Sequence, residues 1–175
     1  REEDITIVIA NGTHIGGDEQ ELRTLVTDAV YDRVKVKNHD CEAKDLVYLG
    51  TTPHGTPVSI DRTAAEADLV VCLGAVTHHV MAGFGGGRKS ILPGISGRET
   101  IFHNHAFSLD AAQLRSNPAI GNGVLKGNPL HEDMCEAASL VNNLFMVNLV
   151  MNADMKLSYI FSGHYLTSWE RACTA

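Results

Sequence analysis

The chain has 175 residues, 44% of them hydrophobic and 20% charged, which is enough apolar material for one packed domain and too much for a disordered tail. Its 14 basic and 21 acidic residues give a formal charge of −7 with no Lys/Arg run, which argues against nucleic acid as a partner. No stretch reaches the roughly 18 apolar residues of a membrane span, no signal-peptide pattern follows Arg1-Glu2-Glu3-Asp4, and the scattered Cys41, Cys72, Cys135 and Cys173 form no CxxC pair, so a cytoplasmic protein with reduced thiols and no membrane partner is expected.

Ile5 to Ala10 reads as a parallel strand buried on both faces. A loop, Asn11 to Gly17, follows it. Asp18 is an N-cap with Glu21 three residues on, a capping-box pattern, and a helix is predicted from Glu19 to Asp32 that buries Leu22, Leu25, Val26 and Val30. Val34 and Val36 alternate with lysines. Ala43 to Leu49 reads as a short strand, Thr51 to Pro57 as a turn, Val58 to Ile60 as extended and Asp61 to Ala67 as a short helix. Asp68 to Gly74 is a second buried strand. A helix is predicted near Arg98 to Asn104, and a loop from Asn117 to Asn128. Pro129 suits a first helical turn, with a helix over His131 to Leu140. Leu144 to Val150 and Leu157 to Phe161 are further strands, and Tyr165 to Ala172 is a last helix. Strands alternating with helices predict an α/β fold, a mostly parallel sheet flanked by helices, with function in the loops after the strands' carboxyl ends.

Two such loops carry histidines, Gly12-Thr13-His14 and Thr77-His78-His79. Two imidazoles at one sheet edge could act as general bases near neutral pH. The second loop runs on into Gly83-Phe84-Gly85-Gly86-Gly87-Arg88-Lys89-Ser90, close to the phosphate-cradling G-x-x-x-x-G-K-[ST] pattern. Arg88 in place of the last glycine, and Pro93 inside what would be the phosphate-facing helix, argue against a nucleotide triphosphatase. An anion held on backbone amides stays open, as does a covalent role for Lys89, whose pKa the neighbouring Arg88 would lower. His103-Asn104-His105 could contribute a metal ligand. His131 and Cys135 lie at helical i, i+4 spacing and could chelate, or could be a helix-start residue and a buried thiol. A zinc-stabilised structural domain is disfavoured by the lack of clustered cysteines. His39, His54 and His164 carry no spacing argument.

The run from His79 through Gly83-Phe84-Gly85-Gly86-Gly87-Arg88-Lys89-Ser90 to Pro93-Gly94, and on through Ser96-Gly97-Arg98-Glu99 to Asn104-His105, resembles the nickel-pincer lactate racemase family. So do Gly12-Thr13-His14, Gly55-Thr56-Pro57-Val58 and Gly127-Asn128-Pro129-Leu130-His131-Glu132-Asp133. The resemblance implies a racemase or epimerase of 2-hydroxy acids working by proton-coupled hydride transfer. It implies a nickel-pincer nucleotide (pyridinium-3-thioamide-5-thiocarboxylic acid mononucleotide) tethered to Lys89, positioned by Gly85, Gly86, Gly87 and Arg88, with nickel bound by His105. It casts His14 and His79 as the catalytic bases. Implied partners are a small 2-hydroxy acid and the enzymes that make the cofactor. Serine often stands where this chain has Gly85. The family's members are about twice as long, so residues 1–175 are expected to be a cofactor-bearing N-terminal domain fragment, without its first segment and its C-terminal domain. Such a fragment is expected to be inactive alone and to expose apolar surface through which it can self-associate. The alternative reading is a non-catalytic domain of the same fold that holds a phosphorylated or nucleotide ligand.

Overall fold

In the computed structural model, which describes residues 1–175, β1 (Thr6–Ile9) pairs in parallel with β2 (Lys35–Asn38), Ile7 lying opposite Val36. The crossover between them carries α1 (Glu19–Val26) and α2 (Asp28–Tyr31). The capping box forms: the Asp18 carboxylate accepts from the Glu21 amide and the Glu21 carboxylate from the Asp18 amide, both at 2.9 Å. Two donors that a helix start leaves unpaired are thereby satisfied. The helix expected to reach Asp32 breaks at Thr27, whose φ of 70° lies in the left-handed region that β-branched residues rarely enter. Of the four residues expected on its buried face only Leu22 is buried, and Leu25 is 65% exposed.

β3 (Val47–Thr51) and β4 (Pro57–Ile60) form an antiparallel hairpin, and α3 (Arg62–Ala65) starts at Asp61. The Asp61 carboxylate accepts from the Thr63 amide at 2.9 Å and from Lys37 Nζ at 2.8 Å, and lies 3.4 Å from His39 Nδ1. His39 Nε2 in turn lies 2.8 Å from the Ser96 carbonyl oxygen, so this cluster ties β2 to α3 and to the segment before α4 (Arg98–Ala106). Burial would raise the Asp61 pKa, but the bonds from His39, Lys37 and Thr63 outweigh it and hold the carboxyl well below the usual carboxylate range. A carboxyl with a depressed folded-state pKa stabilises the fold above its unfolded value, 3.8, and that contribution is lost as pH falls through and below it. Asp61→Asn is therefore expected to cost about 2–3 kcal/mol at pH 7, and the gap to the parent should narrow progressively below pH 3.8. Thermal melts of both proteins from pH 7 to pH 3 check this.

β5 (Val70–Ala75) is followed by the short hairpin β6 (His78–His79) and β7 (Gly83–Phe84). After α4 come a second short hairpin, β8 (Leu109–Asp110) with β9 (Arg115–Ser116), then α5 (Pro129–Ser139), β10 (Leu144–Met151), β11 (Leu157–His164) and α6 (Tyr165–Cys173). Pro129 stands in the first turn of α5, as expected, and Asn128 caps it. β10 pairs in parallel with β5 and antiparallel with β11.

The fold is α/β, but the single, mostly parallel sheet expected from sequence is corrected to several small sheets of mixed sense. The link between β10 and β11 shows why. It is a tight turn in which Asn152 Oδ1 accepts from the amides of Asp154 and Lys156, and a link that short can only fold the chain back, since a parallel neighbour needs a crossover of about a dozen residues. The strands are also less buried than their apolar runs led one to expect. On β5 only Cys72 is buried, while Val71 and Leu73 are 56% and 67% exposed, on a sheet face shared with Phe145 and Ile160. The opposite face sends Cys72 and Met146 into the core, where Val58, Ile91, Leu92, Ile101, Leu130 and Met134 are at most 3% exposed. Burying each such side chain stabilises by roughly 1.5–3 kcal/mol. No helix is long and apolar enough to cross a membrane.

Candidate active site

The carboxyl ends of β1 and β5 open onto one cavity of about 510 Å³, the place where parallel strands present their loops to ligands. Behind β1, the Asn11 side-chain amide donates to the His14 carbonyl at 2.8 Å and the His14 amide to the Asn11 carbonyl at 2.9 Å, closing a tight turn. The Gly12 amide donates to Gly94 at 2.9 Å and fixes that turn against the segment after Lys89. The opposite walls carry Gly86, Lys89 and Ser90 from the glycine loop, and Phe102 and His105 from α4. His14, Lys89 and His105 thus line one cavity. None of its 16 lining residues is acidic, in a chain of net charge −7, so the cleft is a cationic exception that suits an anion.

Gly87 to Ser90 form a single 3-10 turn, not the long phosphate-facing helix of a nucleotide triphosphatase. Gly86 has φ +67°, and a Cβ there would meet the Ala75 carbonyl oxygen at 2.8 Å, so only glycine lets the loop cross the end of β5 this closely. The amides of Gly86, Gly87 and Arg88 donate to no protein acceptor. Ile91 and Leu92, both fully buried, pin the far side of the turn. Lys89 is half-buried. Burial first, and then the Arg88 charge, bring its amine down to about 8, where a neutral, nucleophilic fraction exists near physiological pH.

His105 Nδ1 lies 2.9 Å from the Ile101 carbonyl oxygen. A carbonyl only accepts, so Nδ1 carries the proton and the Nε2 lone pair is free, the arrangement that prepares a histidine to bind metal. Burial, helped by the Lys89 charge and opposed by the Ile101 carbonyl, pulls its pKa below the ordinary value and keeps the imidazole neutral. A neutral imidazole suits nickel, zinc, copper or iron. These features fit a covalently tethered, metal-bearing anion.

His79 is not on the cavity wall. Its pKa is lowered by burial and then by the charges of Lys89, Arg88 and His105. Its Nδ1 accepts from the amides of Met81 at 3.2 Å and Ala82 at 3.1 Å, so the proton of the neutral ring sits on Nε2. Of the four loop residues expected to position a cofactor, only Gly86 reaches the cavity. Gly85, Gly87 and Arg88 are not among its lining residues. His131 and Cys135 do approach, Sγ lying 3.7 Å from Nδ1. The His131 ring packs against Trp169, and burial, with the Arg88 charge, pushes its pKa down to about 4.

Sequence reasoning assigned no role to Trp169 or Asp133. The fully buried Asp133 carboxylate accepts from Thr52 Oγ1 at 2.5 Å, Thr56 Oγ1 at 3.0 Å and Asn104 Nδ2 at 2.8 Å. Asn104 precedes His105, so this network fastens the metal-ligand candidate's helix to α5. The only signal was that Thr56 and Asp133 fall within the family-like motifs.

A model of the lactate racemase N-terminal domain family matches residues 1–116. The chain is 35% identical over 170 residues to the lactate racemase of Thermoanaerobacterium thermosaccharolyticum and 32% identical over 170 residues to that of Lactiplantibacillus plantarum, each alignment covering 97% of this chain and 39% of the relative. The solved apoprotein structure of the Thermoanaerobacterium enzyme superposes with a TM-score of 0.90 at 35% identity, covering 98% of this chain and 40% of that one. A Thermotoga maritima protein of known structure shares the fold, with a TM-score of 0.77 at 22% identity, over 97% of this chain and 45% of that one. The chain spans about two fifths of the length of the lactate racemases it matches.

Proposed function

The chain belongs to the lactate racemase N-terminal domain family, and from that membership we propose that it is the cofactor-bearing part of a racemase or epimerase of 2-hydroxy acids that uses a nickel-pincer nucleotide. The observation that carries this reading is the single acid-free cavity lined by His14, Lys89 and His105. Lys89 would hold the nucleotide through its amine, His105 would ligate nickel through Nε2, and the free loop amides would lie on the anionic side of the group. When bound, that group supplies reversible hydride acceptance at C2 of the substrate.

The chain's own residues handle charge and protons. His14, at the cavity mouth, accepts the hydroxyl proton. His79 stands off the cavity wall with its Nδ1 occupied by two amides, so any part it takes in proton transfer runs through Nε2 alone. The two histidines are therefore not interchangeable in this arrangement.

The test is intact mass and nickel content of the protein isolated from a host that carries the cofactor-making enzymes. The expected result is a mass increment mapped to Lys89, with stoichiometric nickel. An unmodified Lys89 without nickel from such a host would overturn the reading. It would favour a non-catalytic holder of a phosphorylated ligand, which the unpaired amides of Gly86, Gly87 and Arg88 would also serve.

A further inference from the structure

Arg88 is 1% exposed and has no carboxylate partner. Its hydrogen bonds all go to one short stretch of backbone. Nη2 donates to the Ala82 carbonyl at 2.7 Å and Nη1 to that of Phe84 at 2.8 Å, with the Gly85 and Gly86 oxygens at 3.5 Å. Nε has no partner. The guanidinium carbon lies 3.9 Å from the centre of the Trp169 ring. Trp169 comes from α6 and is itself 1% exposed, and its Nε1–H donates to the Gly85 carbonyl at 2.8 Å. Gly87 has φ +53°, and a Cβ there would meet the Trp169 ring at 2.4 Å, so the loop lies directly on the indole.

A buried arginine that served only stability would be expected to meet a carboxylate. This one is neutralised instead by carbonyl dipoles and an aromatic face, with the thiols of Cys135 and Cys173 as its other polar neighbours. With these carbonyls held by Arg88, the amides of residues 86–88 keep no protein acceptor and Lys89 lines the cavity. We propose that Arg88 and Trp169 are positioning residues that clamp the glycine loop from behind and hold Lys89 in the cavity, which makes α6 a working part of the attachment loop. The inference rests on the reading of Lys89 as the attachment point. The family-model match ends at residue 116, well before Trp169.

Acetylation by acetic anhydride, followed across pH by peptide mass mapping, tests the clamp without nickel or nucleotide. Exposed Lys126 and Lys156 serve as references within the same sample. The charged and titratable groups facing the Lys89 amine are Arg88, His14, His79 and His105. In the parent the Lys89 profile should turn near pH 8. Trp169→Leu and Arg88→Met should move that midpoint up by about one unit, toward the exposed-lysine value, and lower Lys89 labelling at pH 8 about fivefold against the references, as the neutral fraction falls from about one half to about one tenth. Trp169→Phe, which keeps a ring over Arg88 but loses the N–H, should recover labelling to within about twofold of the parent. Arg88→Lys keeps the charge but cannot hold the carbonyls, and should still shift the profile. Should the leucine and methionine variants fail to fold, Trp169→Phe and Arg88→Lys decide the matter. An unchanged Lys89 profile in a folded Trp169→Leu or Arg88→Lys protein overturns the clamp. The absence of cofactor on Lys89 in vivo would refute the attachment reading and leave this result untouched.

Discussion

Lys89→Ala is expected to abolish the covalent mass increment and to reduce nickel to background, while leaving the melting temperature at neutral pH unchanged or raised. Burial and the Arg88 charge both disfavour the ammonium form, and no carboxylate offsets them. Removing the amine therefore orphans no partner. The pH dependence has a definite sign. A lysine whose folded-state pKa is lowered from 10.5 to about 8 opposes folding below the lower value, and the penalty disappears as pH rises through that interval. Any stability gained by Lys89→Ala should thus be largest near pH 7 and gone above pH 10.5. Lys89→Arg sharpens the experiment, because a guanidinium keeps the charge but stays protonated and does not act as the nucleophile. His105→Ala should separate the two functions, retaining the mass increment while losing the metal. Intact mass, elemental analysis and calorimetric melts on the four proteins from one host provide the readings.

Asp133→Ala is expected to destabilise the fold more than Asp61→Asn does. It removes the common acceptor of Thr52, Thr56 and Asn104, three side chains at most 4% exposed. Asn104 keeps its second bond, to the Leu130 carbonyl at 3.0 Å, but the two threonine hydroxyls lose their acceptor. With a buried unsatisfied polar group costing about 1–3 kcal/mol, the loss should total about 3–5 kcal/mol. Asp133→Asn preserves shape and can be met by rotation of a threonine hydroxyl, so it should cost about 1–2 kcal/mol. Chemical denaturation gives both numbers. An Asp133→Ala loss below that of Asp133→Asn would mean that the network does not fasten α4 to α5.

Local chemistry was legible in the sequence and long-range pairing was not. Asp18 with Glu21, Pro129 in a first turn, and the short apolar runs located helix starts and strands to within a few residues, because caps and periodicity act over one or two turns. The same runs said nothing about partners. Leu157 to Phe161 reads alike whether its neighbour is parallel or antiparallel, and the turn around Asn152 decides it. Val71 and Leu73 show that an apolar strand need not be a buried one. The break at Thr27 had no signal at all, since threonine is a poor guess for a left-handed residue. At the site, His14, Lys89 and His105 came from a motif with fixed spacing. The groups that hold them in place, Trp169 against Gly85 and Asp133 against Thr52, sit on distant parts of the chain. Such contacts leave no periodic trace in one sequence.

Trp169 follows Lys89 by 80 residues, and that separation sets an order of events during synthesis. The loop bearing Lys89 leaves the ribosome long before α6 does, and β5 must likewise wait for its parallel partner β10. Contacts of such large sequence separation form late and slowly. A nascent chain that stops short of Trp169 has the lysine but not the indole behind it. Installation of a group on Lys89 would then follow the synthesis of α6, and a ribosome-stalled intermediate short of it would offer the maturation enzymes only a loose glycine-rich segment.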